Sequence, residues 1–187
     1  YPPARRAHIR IVEIDAARPI DGALPGIALQ PGADLGSYPW LHPVNLGRMA
    51  DIVASDLERL APQAAPVLAR NLAGLKQQLV ALSGRTETAL LAAPNLSVVS
   101  LSPRLDYLAS AFNLELVPGS TDPQALAALI RREGVAAVLH HEELPPELAQ
   151  AVKGAGAAVA VLAADGQQPV ADIEALAARL VVALRLR

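Results

Sequence analysis

The sequence contains no cysteine, which excludes disulfides, thiolate metal sites and cysteine nucleophiles. Aromatic residues are also scarce: Phe, Trp and Tyr together make up 3% of the 187 residues, whereas hydrophobic residues make up 52%. The core must therefore be built from small aliphatic side chains, which suits helices packed closely on a compact sheet. No run of about 18 uncharged apolar residues occurs, so we expect no membrane span.

Charge of one sign is not concentrated anywhere, with 16 basic and 18 acidic residues in short, mixed stretches. Nucleic-acid binding needs a basic stripe to neutralise phosphates, so we expect no nucleic-acid partner. The sequence also lacks the Gly-x-Ser-x-Gly and His-Glu-x-x-His motifs, the Gly-x-Gly-x-x-Gly motif and a phosphate-binding loop. We therefore expect no enzymatic activity.

The first half of the chain changes from irregular to helical patterning. Residues 8–14 alternate in part and predict a strand, and a loop rich in Gly and Pro follows at 19–43. From Leu46 to Leu82, apolar residues then step by three and four, which is typical of one helical face. Pro62 interrupts this stepping, so we predict two helices in series, or one long helix with a break, that ends at Ser83-Gly84.

The second half alternates short apolar runs with helical patterns, which predicts a parallel sheet built from right-handed βαβ units. Asp122-Pro123 supplies a capping side chain and a first-turn proline for one helix, and Gly134 ends that helix. The predicted fold class is α/β, with a four-stranded parallel sheet flanked by helices and a long helical segment beside it. We expect strands at 96–101, 114–117, 135–139 and 157–162, and helices at 104–112, 123–134, 146–153 and 170–186.

The sharpest chemical feature is the run His140-His141-Glu142-Glu143 at the end of a predicted strand. Ligands of parallel α/β sheets bind beyond the carboxyl ends of the strands, and imidazole and carboxylate donors suit Zn²⁺ or Mn²⁺. Neighbouring side chains of a strand diverge, so only one histidine is expected to face a site unless the loop curls. The alternative is a polar loop that leads into the helix at Pro145-Pro146. For Asp106 and Asp165, helix capping or solvent exposure is the simpler interpretation.

The run Trp40-Leu41-His42-Pro43-Val44-Asn45, directly before the long helical segment, resembles the Trp-Leu-Asp-Pro-x-Asn signature of substrate-binding proteins from zinc and manganese ABC importers. The resemblance covers residues 36–187, and it rests on the order and spacing of several stretches rather than on one motif. The further stretches are LERLAP at 57–62, Asn71 within a helix, SVVSLSPRLDYLASAFNL at 97–114, GVAAVL at 134–139 and PPELA at 145–149.

This resemblance implies two α/β lobes joined by a rigid long helix, with a metal held between the lobes by four side chains. It divides the chain into a remnant of the N-terminal lobe and a loop at 1–43, a long helical segment at 44–94, and a C-terminal α/β lobe at 95–187. The start at Tyr1 rather than Met adds the expectation of a mature or trimmed chain.

Carried over position by position, the metal ligands of that family give a mixed result. Histidines of the family fall at Tyr38 and Ser102, its glutamate falls at His141, and its aspartate falls near Asp165, whereas the fourth ligand belongs to first-lobe sequence that has no counterpart here. Tyrosine and serine hydroxyls are poor metal ligands at neutral pH. The predicted metal ligands are therefore His141 and Asp165, with His140 as a third donor.

Three functions follow from the resemblance and remain alternatives at this point. The first is a periplasmic or surface-anchored binding protein for an ABC permease that holds zinc or manganese weakly or has lost it. The second is a metal-free accessory protein that docks to a transporter or to another periplasmic component. The third is a site reshaped for a small organic ligand.

Overall fold

The computed structural model describes residues 14–17, 24, 26–29 and 37–185. The predicted strand at 8–14 lies outside the described residues apart from Ile14, and so does much of the predicted loop at 19–43. The interpretation of residues 1–43 as the remnant of a lobe stays a prediction, as do the boundaries 44–94 and 95–187.

The predicted pair of helices in series is confirmed: α1 spans Pro43–Leu60 and α2 spans Ala65–Leu90. The break coincides with Pro62, which cannot donate a backbone hydrogen bond and which begins a short 3₁₀ turn, Pro62–Ala64. The two helices pack against each other. At the start of α1, the imidazole Nδ1 of His42 accepts a hydrogen bond from the backbone N–H of Val44 at 3.2 Å and so caps the helix.

The predicted end of the second helix at Ser83-Gly84 is wrong, because α2 continues to Leu90. A glycine inside a helix costs only about 1 kcal/mol relative to alanine. Beyond Gly84 the helix buries the side chains of Thr86 and Leu90, and the guanidinium of Arg185 donates to the carbonyl oxygen of Ala89 at 2.7 Å. These tertiary contacts outweigh the local stop signal.

The predicted fold class is confirmed by a four-stranded sheet in which every pairing is parallel, with strand order β2-β1-β3-β4. Each strand is followed by a helix, as the alternating pattern predicts. The strands are β1 (Ser97–Ser100), β2 (Glu115–Leu116), β3 (Ala137–His140) and β4 (Ala158–Val161), and the helices are α3 (Asp106–Ala111), α4 (Pro123–Glu133), α5 (Pro146–Gly154) and α6 (Pro169–Arg185).

The sheet separates two apolar clusters because successive side chains of a strand point to opposite faces. Val98 and Leu139 belong to the larger cluster, which includes the buried face of α6, while Val99 and Val138 belong to the smaller cluster with α4 and α5. All four of these side chains are fully buried. Among the described helices, none combines the length and the apolar character needed to cross a membrane.

Two glycines provide a matched test of this packing. At Gly119, after β2, an added Cβ would collide with the buried Cγ1 of Val99, whereas at Gly74 in α2 it would meet no described residue within 4 Å. We therefore expect Gly119→Ala to lower the free energy of unfolding by roughly 1–3 kcal/mol. Gly74→Ala should raise it by roughly 0.5–1 kcal/mol, because alanine favours the helix. Urea unfolding measures both, and equal effects of the two substitutions would contradict the packing at β1.

Candidate functional site

A cavity of about 230 Å³ lies at the carboxyl edge of the sheet, where ligands of parallel α/β folds bind. Its polar lining comes from Tyr38, Arg104, His141 and Glu142, and the remainder is apolar and comes from the same strand-end loops and the segment before α1. A larger groove of about 590 Å³ between α1 and α2 contains none of the predicted ligands. The strand-end cavity is therefore the candidate site.

His141 follows the last residue of β3 and places a partly buried imidazole in the wall of this cavity. Its Nε2 lies 3.4 Å from a carboxylate oxygen of Glu142, and its buried Nδ1 has no hydrogen-bond partner among the described residues. Burial lowers the pKa of His141, and electrostatic interactions with Arg104 and His140 lower it further, while Glu142 opposes the shift. The imidazole is thus neutral at neutral pH, which is the form that binds metals.

The chain bends directly after β3, so the loop curls and the ring centroids of His140 and His141 lie only 4.6 Å apart. His140 does not line the cavity. Its Nδ1 lies 2.8 Å from the carbonyl oxygen of Glu142 and 3.1 Å from the backbone nitrogen of the same residue. One ring nitrogen of His140 is therefore engaged by its own loop.

Asp165 lies on the loop after β4, but it does not line the cavity. One of its carboxylate oxygens accepts a hydrogen bond from the backbone N–H of Gln167 at 2.8 Å, so this oxygen stabilises the turn that it belongs to. In residues 14–17, 24, 26–29 and 37–185, no three His, Cys, Asp or Glu side chains come together to hold a metal ion. The assignment of His141, Asp165 and His140 as ligands stays a prediction.

Tyr38 and Ser102 stand at positions where the resembled family has metal ligands, and the surroundings of their hydroxyl groups differ. Tyr38 lines the cavity, and its ring stacks on Trp40 with the centroids 5.6 Å apart. Ser102 is 2% exposed and does not line the cavity, and within the described ranges its Oγ has no hydrogen-bond partner. Of the five residues singled out from the sequence as ligands or ligand positions, the structure brings Tyr38 and His141 to the same cavity.

Sequence reasoning missed Arg104, which belongs to the short 3₁₀ turn Pro103–Leu105 after β1 and lines the cavity. Its guanidinium carbon lies 5.2 Å from the centroid of the Tyr38 ring, a cation–π contact. In the part of the chain that the structure describes, no carboxylate forms an ion pair with it. The sequence signal that could have revealed Arg104 is a basic residue two positions after Ser102, in the segment that follows β1.

The chain is similar to known proteins in sequence and in fold. The family model for zinc-uptake complex component A, periplasmic (ZnuA) matches residues 37–175. A zinc-bound deletion mutant of ZnuA is 20% identical with a TM-score of 0.71, covering 93% of this chain and 69% of that one. The metal-dependent lipoprotein YcdH from Bacillus subtilis is 17% identical with a TM-score of 0.72, covering 92% of this chain and 70% of that one.

A third similar structure is the zinc-bound ZnuA-like domain of AdcA from Streptococcus pneumoniae, which is 20% identical with a TM-score of 0.68 and covers 85% of this chain and 67% of that one. At these identities the structures show a shared fold, and the chain spans about two thirds of each of the three. No curated protein sequence matches it significantly. Because the family model matches most of the sequence, the chain belongs to the family of zinc-uptake complex component A, the periplasmic ZnuA family.

Proposed function

We propose that this chain acts as a substrate-binding protein of a metal ABC importer in which binding of zinc or manganese is weak, with His141 as the principal ligand. The observation that carries the proposal is the neutral imidazole of His141 in a cavity at the carboxyl edge of the sheet. Asp165 and His140 are the additional ligands that we propose, at the ends of the neighbouring strands β4 and β3: His140 is the last residue of β3, and Asp165 lies in the loop after β4. Nothing in this arrangement supplies a nucleophile with a base, and we propose no catalytic role.

Weak rather than tight binding follows from the number of donors. A closed zinc site needs four protein ligands, and an open one needs three. Here Tyr38 and Ser102 stand where the family has histidines, and an oxygen of Asp165 is already bound to its own turn. A bound metal would therefore keep several water molecules, and each missing protein ligand weakens the complex.

We expect calorimetric titration of the purified protein with zinc to give a micromolar or higher dissociation constant. This corresponds to a binding free energy no more favourable than about −8 kcal/mol. His141→Ala should weaken binding at least tenfold. His42→Asn is the matched control, because it removes an imidazole that lies outside the cavity and leaves a capping side chain at the start of α1. Nanomolar binding, or weak binding that His141→Ala leaves unchanged, would contradict the proposed site.

A second candidate function is a metal-free accessory protein of a transport system, which the guanidinium of Arg104 in the cavity favours. This function predicts no zinc binding at His141 and retained association with a partner. Co-purification from native membranes tests the association, and an ABC permease, or another periplasmic component, is the partner that we propose.

For both functions we propose the periplasm or the outer cell surface as the location of the protein. Cell fractionation that finds the native protein in the cytosol would contradict this location.

A further inference from the structure

The formal charge of the candidate cavity sums to zero. Arg104 contributes a positive charge and Glu142 a negative one, while the other lining residues are neutral or, in the case of His141, have a lowered pKa. Without Arg104, the cavity would present a carboxylate and a neutral imidazole, a pair of donors that suits a divalent cation. Arg104 is therefore the side chain that keeps the cavity from carrying a net negative charge.

The guanidinium of Arg104 contacts one aromatic ring at the cavity, that of Tyr38, and lies over its face. The Tyr38 ring in turn stacks on Trp40, whose ring lies close to Gly166. Gly166 has a φ of 75° and lies in the loop after β4, so the stack runs from the loop after β1 to the loop after β4. Rings fixed in this way favour one position of an otherwise flexible arginine.

We infer that Arg104 is the residue that determines ion specificity at this site: its guanidinium lies at the cavity with the proposed ligand His141 and weakens the binding of divalent metals there. The inference rests on the proposed function, since it concerns the same site. A zinc ion that entered the cavity would face a fixed like charge in a setting less polar than water, where the repulsion between charges is stronger. In the described part of the chain, no carboxylate lies close enough to Arg104 to form an ion pair with it, and Glu142 pairs with His141 instead.

The test is whether the affinity for zinc rises when the positive charge of Arg104 is removed. Arg104→Gln should bind zinc at least tenfold more tightly than the unmodified protein, and Arg104→Ala, as a second neutral variant, should show the same gain. Arg104→Lys keeps the charge and should retain the weak affinity. Arg131→Gln is the matched control for net charge, because Arg131 lies on α4 and contacts the carbonyl oxygen of Gly154 at the end of α5.

A second readout separates charge from shape. A gain that came only from space vacated in the cavity would be larger for Arg104→Ala than for Arg104→Gln and would appear in part for Arg104→Lys. The inference predicts a similar gain for the two neutral variants and none for Arg104→Lys. An affinity that followed the volume of the side chain rather than its charge would therefore overturn the inference.

The outcomes for the inference and for the proposed function are distinct. If His141→Ala abolishes zinc binding while Arg104→Gln binds zinc no better than the unmodified protein, the site stands and the role of Arg104 is wrong. If Arg104→Gln gains affinity and the added His141→Ala does not remove it, Arg104 does weaken cation binding but the proposed ligand is wrong. If zinc binds to neither Arg104→Gln nor Arg104→Ala, both ideas are overturned.

Discussion

Leu180→Ala is expected to lower the free energy of unfolding by about 2–5 kcal/mol, because it removes a large aliphatic side chain from the larger core cluster and leaves a void. Leu180 is fully buried on α6, in the cluster that this helix shares with α2, α3 and the sheet. With so few aromatic residues in the chain, leucine side chains supply most of the volume of this core.

The matched control for this substitution lies two residues further along the same helix. Val182 is 56% exposed, so Val182→Ala removes little buried surface, and alanine favours the helix more than valine does. We expect this control to change the free energy of unfolding by no more than about 0.5 kcal/mol. Chemical unfolding followed by circular dichroism measures both variants, and similar losses for the two would show that α6 does not pack as described.

Asp56→Asn is expected to stabilise the protein by about 1–3 kcal/mol, since burying a carboxylate that has no partner among the described residues costs more than burying an amide. Asp56 lies on α1 with 1% of its surface exposed, and neither carboxylate oxygen has a hydrogen-bond partner in the part of the chain that the structure describes. The substitution preserves the shape of the side chain while it removes the charge.

Asp51, on the same helix, provides a control for which we expect the opposite change in the free energy of unfolding. Its carboxylate lies 2.6 Å from the ammonium group of Lys76 on α2, and both side chains are partly exposed. Asp51→Asn should therefore lower the free energy of unfolding by at most about 1 kcal/mol. Thermal and urea unfolding of the two variants test the contrast, and a loss of stability in Asp56→Asn would show that this carboxylate has a stabilising partner in the intact protein.

Local patterns in the sequence determined the type and order of the elements. The stepping of apolar residues between 46 and 82, the break at Pro62 and the alternation of strands and helices after 95 are properties of neighbouring residues. They predict two helices in series and a parallel sheet. The same alternation placed His141 at the carboxyl end of β3, because a strand ends where its apolar run ends.

Tertiary contacts decided where α2 ends and which side chains meet at the site. Gly84 is a local stop signal, but burial of Leu90 beyond it outweighs the small helical cost of glycine. Arg104 reaches the ring of Tyr38 across the fold, while an oxygen of Asp165 bonds to its own turn. Periodicity specifies the secondary structure of a segment, whereas these contacts depend on the strand order β2-β1-β3-β4 and on loop conformations, which the pattern of a single segment does not encode.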